Sequence, residues 1–252
     1  MAVQEATSEE LELFSSLKGN RCPPGHFIGD GPKVVRRMLA AGVVVKLVAE
    51  PDRLAKQTVP DGVAVRVTTR EKMEAILGYP YHNGVMALGR IPAERPLAGT
   101  FHVALDRLSN AENVGAILRT CAAFGVDGVV WSAGTSSPWM RRAVRVSVGA
   151  ALVLPTHEVP DLPAFLAPRN AWAAHIHGEK RDYRAVDYRE PVVVVLGAED
   201  DGVSDAVRAA CRGTIYIPMA SSWDCLNVAA SAAVLLAEVR RQRDAALRGD
   251  EK

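Results

Sequence analysis

Cysteine is scarce in this chain of 252 residues: Cys22, Cys121, Cys211 and Cys225 stand far apart, with no CxxC pair and no Cys/His spacing. A disulfide framework and a zinc site are therefore not expected, and reduced thiols in a cytoplasmic protein are. No apolar run is long enough to span a bilayer, so no membrane partner is expected. The first residues, MAVQEATSEELELF, are acidic and lack the basic-then-apolar order of a secretory signal. No GxGxxG follows a strand-like run, no Walker A loop is present and no GxSxG occurs, which argues against dinucleotide, NTP and hydrolase chemistry. Internal repeats, low-complexity tracts and heptads are missing as well.

Charge of one sign is also missing overall, since the formal net charge is only +1. Its distribution is less even. Residues 1–20 carry one Lys or Arg against four acids, whereas residues 21–97 carry 12 against 7. Two basic groups stand out, Arg36 with Arg37 and Arg141 with Arg142 and Arg145. Such groups contact phosphates in some proteins and are plain solvated helix faces in more of them.

With 48% hydrophobic and 23% charged residues, the composition is that of a soluble globular protein, large enough for one big domain or two ordinary ones. Residues 1–20 read as an acidic leader. Residues 21–90 read as a small α/β unit: a helix over Lys33 to Ala41 stopped by Gly42, strands over Val43 to Val48 and Val63 to Val67, a helix over Thr69 to Leu77 stopped by Gly78, and a strand over Val85 to Leu88. Residues 91–99, rich in Pro and polar side chains, read as a linker, and residues 100–252 as a second domain.

In that second domain Phe101 to Leu105 and Gly128 to Trp131 read as strands. The spacing between them predicts a helix from Val114 to Phe124 with Asn113 as N-cap, an apolar stripe of Ile117, Leu118, Cys121 and Ala122, and Gly125 as stop. Arg119 lies off the stripe, four residues after Gly115, free to reach a phosphate or carboxylate. The unbroken apolar run Val192 to Val195 suits a strand buried on both faces of a parallel sheet. Gly197 ends it and opens an acidic loop with Glu199, Asp200 and Asp201. A helix over Ser204 to Cys211 and a strand over Thr214 to Ile217 follow, and Pro218 stops that strand. Leu226-Asn227 then opens a helix whose first turns are nearly all Ala and Ser. Loops at the carboxyl ends of parallel strands are where α/β proteins bind ligands.

Three motifs, NVGAILRT, VLGAEDDGVS and IPMASSWDCLNVAASAA, stand in this order between Phe101 and Arg243. In order and spacing they resemble those of SPOUT-class RNA 2′-O-ribose methyltransferases of the SpoU/TrmH branch. The first domain is more loosely similar to the L30e-like RNA-binding module that often precedes that catalytic domain, with Gly29-Asp30 where many relatives carry a Glu-Gly pair. The resemblance implies an α/β trefoil-knot domain with a parallel sheet, and S-adenosylmethionine as cofactor, held around Gly197, Ile217, Met219 and Leu226. It further implies catalytic roles for Arg119, Asn113, Glu199 and Asn227, a homodimer and no metal. The RNA would be large-subunit rRNA by preference. A tRNA 2′-O-methyltransferase and a non-catalytic knot-fold RNA-binding protein are the alternatives. Cys225 departs from the Ser that relatives commonly carry before the Leu-Asn pair.

Overall fold

The computed structural model describes residues 4–15, 22–176, 179–220 and 226–249, with side chains through residue 246. The chain divides into two compact units. One comprises Met1–Ala93 with Ser137–Leu152, the other Glu94–Ser136 with Val153–Lys252.

The first unit begins with β1 (Gln4–Glu5) and α1 (Ser8–Glu12), followed by β2 (His26–Asp30), α2 (Pro32–Ala40), β3 (Val44–Ala49), α3 (Pro51–Leu54), β4 (Ala64–Val67), α4 (Arg70–Leu77) and β5 (Val85–Arg90). Its five strands lie in the order β1-β4-β3-β5-β2. β5 runs antiparallel to both β2 and β3, while β4 is parallel to β1 and β3. The local signals explain most of these elements. Pro32 starts α2, Thr69 caps α4 by accepting from the Lys72 N–H, and Gly78 ends α4 at φ 75°.

The acidic leader is part of this unit. α1 opens with a capping box, in which Thr7 Oγ1 accepts from the Glu10 N–H while the Thr7 N–H donates to Glu10 Oε2, each at 3.2 Å. Glu10 also accepts from Lys46 Nζ at 2.8 Å and Arg66 Nε at 3.0 Å, and the Lys46 bond in particular holds its carboxyl down at about 2. Leu11 and Phe14 are buried with Ile28, Val48, Met73, Met86 and Tyr81 on one side of the sheet. Burying these two large apolar side chains is what the leader gains by folding back.

The second unit contains β6 (Phe101–Asp106), α5 (Ala111–Phe124) and β7 (Gly128–Trp131). The chain then enters Ser137–Leu152, which carries α6 (Arg141–Val146) and packs in the first unit, although by sequence it lies inside the second domain. The second unit resumes with β8 (Thr156–Glu158), α7 (Leu162–Leu166), β9 (Ala171–Ala174), β10 (Arg181–Asp182), β11 (Val192–Gly197), α8 (Asp205–Ala210), β12 (Gly213–Tyr216) and α9 (Val228–Gly249). Its seven strands lie in the order β10-β12-β9-β11-β6-β7-β8, every pairing parallel. Every residue of β11 is buried, as its apolar run predicts for a central parallel strand. The expected knot is a matter of how residues 198–227 thread, and Ser221 to Cys225 lie outside the described residues.

α6 enters the first unit through a buried ion pair. Arg141 is 2% exposed; its Nη2 donates to Asp30 Oδ2 at 3.0 Å and to the Tyr79 hydroxyl at 3.1 Å, and its Nη1 donates to the Phe14 carbonyl at 2.6 Å. The Tyr81 hydroxyl and Asn83 Nδ2 satisfy Asp30 Oδ1 at 2.8 and 2.9 Å. Burial pushes the Tyr81 hydroxyl pKa up, so it remains a donor at any physiological pH. Asp30 is therefore the acceptor at the centre of this cluster.

Candidate active site

The parallel register aligns Gly197, the last residue of β11, with Asp106, the last residue of β6, so the loops leaving these two central strands start side by side. Asp106, 2% exposed, ties both loops. Its Oδ2 accepts from the Ser204 N–H at 2.7 Å and its Oδ1 from the Ser132 hydroxyl at 3.1 Å. Nothing in the sequence pattern marks it, because an Asp after an apolar run looks like any loop acid.

The acidic loop closes on itself. The Ala198 N–H donates to the Gly202 carbonyl at 3.1 Å and the Gly202 N–H returns to the Ala198 carbonyl at 3.0 Å, so Glu199, Asp200 and Asp201 project from a small closed turn. Two glycines make this possible. A Cβ on Gly197 would lie 2.1 Å from the Gly202 carbonyl carbon and 2.1 Å from the Val203 nitrogen, both main chain. Gly202 has φ +69° and packs against the His175 ring that follows β9. We expect Gly197→Ala to break this close approach. Stability measured by denaturant unfolding should fall by about 3 kcal/mol, the upper end of overpacking costs, with S-adenosylmethionine affinity lost alongside it. Unchanged affinity in the variant would show that the close approach does not serve the cofactor.

Asn113 is not the N-cap that the sequence suggested. Asn110 caps α5, its side chain accepting from the Glu112 N–H at 2.8 Å, and the helix starts at Ala111. This places Asn113 in the first helical turn with its side chain available. Asn113 Nδ2 donates to Glu199 Oε1 at 2.6 Å, and Asn113 Oδ1 accepts from Asn227 Nδ2 at 3.2 Å. Asn227 at the same time caps α9, its Oδ1 accepting from the Ala229 N–H at 2.9 Å. Three residues drawn from three motifs, up to 114 positions apart, thus form one hydrogen-bonded row: Glu199, Asn113, Asn227. The direction of each amide is fixed by it, since Asn113 must donate to the carboxylate and therefore present its oxygen to Asn227.

Arg119 lies outside the row. It is exposed on α5 and makes no hydrogen bond or ion pair among the described residues. Val114, Ile117, Leu118 and Cys121 bury the inner face of α5, and α9 packs along this helix. Ala122, expected on that stripe, is exposed instead. The buried stripe centres on Val114, Ile117, Leu118 and Cys121, and at 3.6 residues per turn Ala122 falls at its edge. Burial pushes the Cys211 thiol up to about 12, which leaves it inert. Cys225 lies outside the described residues.

Residues expected to hold the cofactor sit at the same carboxyl edge of the sheet. Gly197 ends β11, Ile217 and Met219 follow β12 half-buried, and Leu226, 40% exposed, precedes α9. Leu226 is one of three large apolar side chains exposed among the described residues. Half-buried apolar side chains and a bare glycine backbone suit a ligand with a flat apolar ring and polar substituents, which S-adenosylmethionine is.

A family model described as the SpoU rRNA Methylase family matches residues 100–237. A curated relative, the 23S rRNA (guanosine-2'-O-)-methyltransferase RlmB of Acinetobacter baylyi, is 31% identical over 200 residues, covering 73% of this chain and 81% of the relative. Among solved structures, the AdoMet-bound rRNA methyltransferase from Sinorhizobium meliloti superposes with a TM-score of 0.79 at 26% identity, over 95% of this chain and 98% of that one. The SpoU methyltransferase AviRb from Streptomyces viridochromogenes, in complex with the cofactor AdoMet, gives 0.77 at 25% identity, over 93% and 98%. The parallel seven-stranded unit and the smaller mixed-sheet unit are thus the fold of known SpoU/TrmH enzymes, and the chain belongs to the SpoU rRNA Methylase family.

Proposed function

We propose that the protein transfers the methyl group of S-adenosylmethionine to a ribose 2′-hydroxyl of structured RNA, and that the RNA is large-subunit rRNA. The observation that carries this reading is the row Glu199–Asn113–Asn227, which joins the three motifs at the carboxyl edge of the parallel sheet. The rRNA preference is supported by the 23S rRNA relative and by the rRNA methyltransferase matched over both units.

The bound cofactor supplies an electrophilic methyl on a sulfonium. The chain's task is to hold a ribose hydroxyl in line with it and to ease the departure of that hydroxyl's proton. Arg119 is the residue assigned to the hydroxyl and its adjacent phosphate. An arginine stays protonated, so it donates hydrogen bonds and places the nucleotide rather than abstracting the proton. Glu199, Asn113 and Asn227 hold the acidic loop, the start of α5 and the start of α9 in a fixed relation. Gly197, Ile217, Met219 and Leu226 hold the cofactor. The active form is a homodimer in this reading, supported by the exposed Ala122 and Ala123 of α5 and Ala230 and Ala237 of α9, small residues that allow close helix approach. Light scattering would give the mass of a pair. An rRNA substrate also agrees with a cytoplasmic location.

The test is transfer of labelled methyl from S-adenosylmethionine to deproteinised rRNA and, separately, to tRNA, with digestion to nucleosides. Label in a 2′-O-methylnucleoside from the rRNA pool is the expected result. Label only from tRNA would move the substrate, and label in a methylated base would overturn the reaction class.

A further inference from the structure

We infer that α2 and α6 together form an RNA-docking face on the first unit, directed at the sugar-phosphate backbone and completed only when residues 137–152 join residues 31–49. This rests on the RNA substrate proposed above. Both helices cover the same side of the five-stranded sheet, sharing one apolar cluster that includes Phe27, Val34, Val35, Met38, Leu47 and Val144. What they turn outward is basic: Lys33, Arg36 and Arg37 on α2, Arg142 and Arg145 on α6. Neither stretch, 31–49 or 137–152, contains an Asp or a Glu.

The remaining cations of these stretches are neutralised elsewhere. Arg141 is buried on Asp30 and Lys46 is paired with Glu10. Lys33, Arg36, Arg142 and Arg145 make no hydrogen bond or ion pair among the described residues. Arg37 is tethered, its Nη1 donating to the Val148 carbonyl at 2.6 Å. Val148 stands at φ 54°, a left-handed conformation that a β-branched residue adopts only under constraint, and this turn points its carbonyl at the guanidinium. Arg37 therefore joins the two halves of the face and keeps its charge.

On the opposite side of the sheet, α1 and α4 carry Glu9, Glu10, Glu12, Glu71 and Glu74 together with Arg70 and Lys72, so that layer mixes both signs. A merely solvated helix face intersperses both signs; this one excludes acids from two segments about a hundred residues apart. A protein-binding face would carry aromatic or large apolar residues at its centre, and a membrane-binding helix would expose an apolar side. The large apolar residues exposed among the described ones, Val153, Ile176 and Leu226, all lie outside both stretches. Guanidinium groups on a rigid helical surface suit phosphate oxygens, which they bind bidentately. Contacts of this kind read RNA shape rather than base identity.

The experiment uses the full chain and deproteinised large-subunit rRNA as probe, with binding measured across a KCl series. The triple variant R36Q/R142Q/R145Q is compared with K56Q/R90Q/R95Q, which removes three exposed cations elsewhere and the same net charge. The face variant should lower the slope of log affinity against log salt by about 2 to 3 and weaken binding on the order of tenfold or more at moderate salt. The control triple should do neither, and both should bind S-adenosylmethionine as wild type does. R36K/R142K/R145K should restore most of the slope. Equal slopes for the two triples, with wild type still binding and methylating rRNA, would overturn the docking face alone. A wild-type chain that neither binds nor methylates rRNA would overturn it together with the substrate reading.

Discussion

Replacing Arg119 with alanine is expected to lower methyl transfer by about 10²–10³-fold or more, the loss typical of removing one donor aimed at the reacting group. S-adenosylmethionine affinity and thermal stability should stay at wild-type values. Both halves of the expectation follow from its setting. The side chain is exposed, holds no other residue in place, and lies on the outer face of a helix whose inner face is fixed by Val114, Ile117, Leu118 and Cys121. Nothing among the described residues depends on it, so a large activity loss at an unchanged dimer mass by light scattering has no structural explanation available. Lysine in its place should recover little, because a point charge does not reproduce a planar fork. Single-turnover kinetics decide it. Near-wild-type turnover in the alanine variant would remove Arg119 from the chemistry and leave the Glu199–Asn113–Asn227 row as the remaining candidate.

The second large effect concerns stability. Arg141→Met should destabilise the protein by about 3–5 kcal/mol, because it leaves the Asp30 carboxylate buried without its cation. Asp30 would keep its bonds from Tyr81 and Asn83, but the Phe14 carbonyl would lose its donor. The double variant D30L/R141M should lose less than R141M alone, since removing both charges removes the uncompensated one. Urea unfolding of the full chain measures both. A cost below about 1 kcal/mol for the single variant would mean that water or a rearranged neighbour replaces the guanidinium, contrary to the 2% exposure found for both partners. Truncations carry the same message: removing residues 1–96 strips α6 of its partners, so the shortened chain tests loss of packing as well as loss of RNA contacts.

The regular elements were legible wherever local chemistry speaks plainly. The apolar run of β11 and the Gly42, Gly78 and Gly125 stops lie where periodicity and capping rules put them. The three motifs were legible too, and the row they build joins Glu199, Asn113 and Asn227. What escaped notice depended on distant partners. Arg141 and Arg142 are neighbours of one type, yet one is buried on Asp30 and the other faces solvent. Only the tertiary position of α6 separates them. Asn110 and Asn113 are both good N-caps, and the choice between them rests on Glu199, 86 residues away. The leader reads only as an acidic segment because the cations that hold Glu10, Lys46 and Arg66, are far off in sequence. The stretch from Ser132 to Glu190 has no strong period, and its short elements, α6, β8, α7, β9 and β10, are made by the sheet and the cores they join.

A ribose 2′-O-methyl group blocks alkaline cleavage of the adjoining phosphodiester, because the 2′-oxygen can no longer attack phosphorus. The most direct test of the account is therefore to incubate the full chain with S-adenosylmethionine and unmodified large-subunit rRNA, and to map alkali-resistant linkages. One new resistant linkage, dependent on S-adenosylmethionine and missing with Arg119→Ala, is the result the account predicts. Bound S-adenosylmethionine with methyl found only on bases, or resistance confined to tRNA in a parallel reaction, would contradict it.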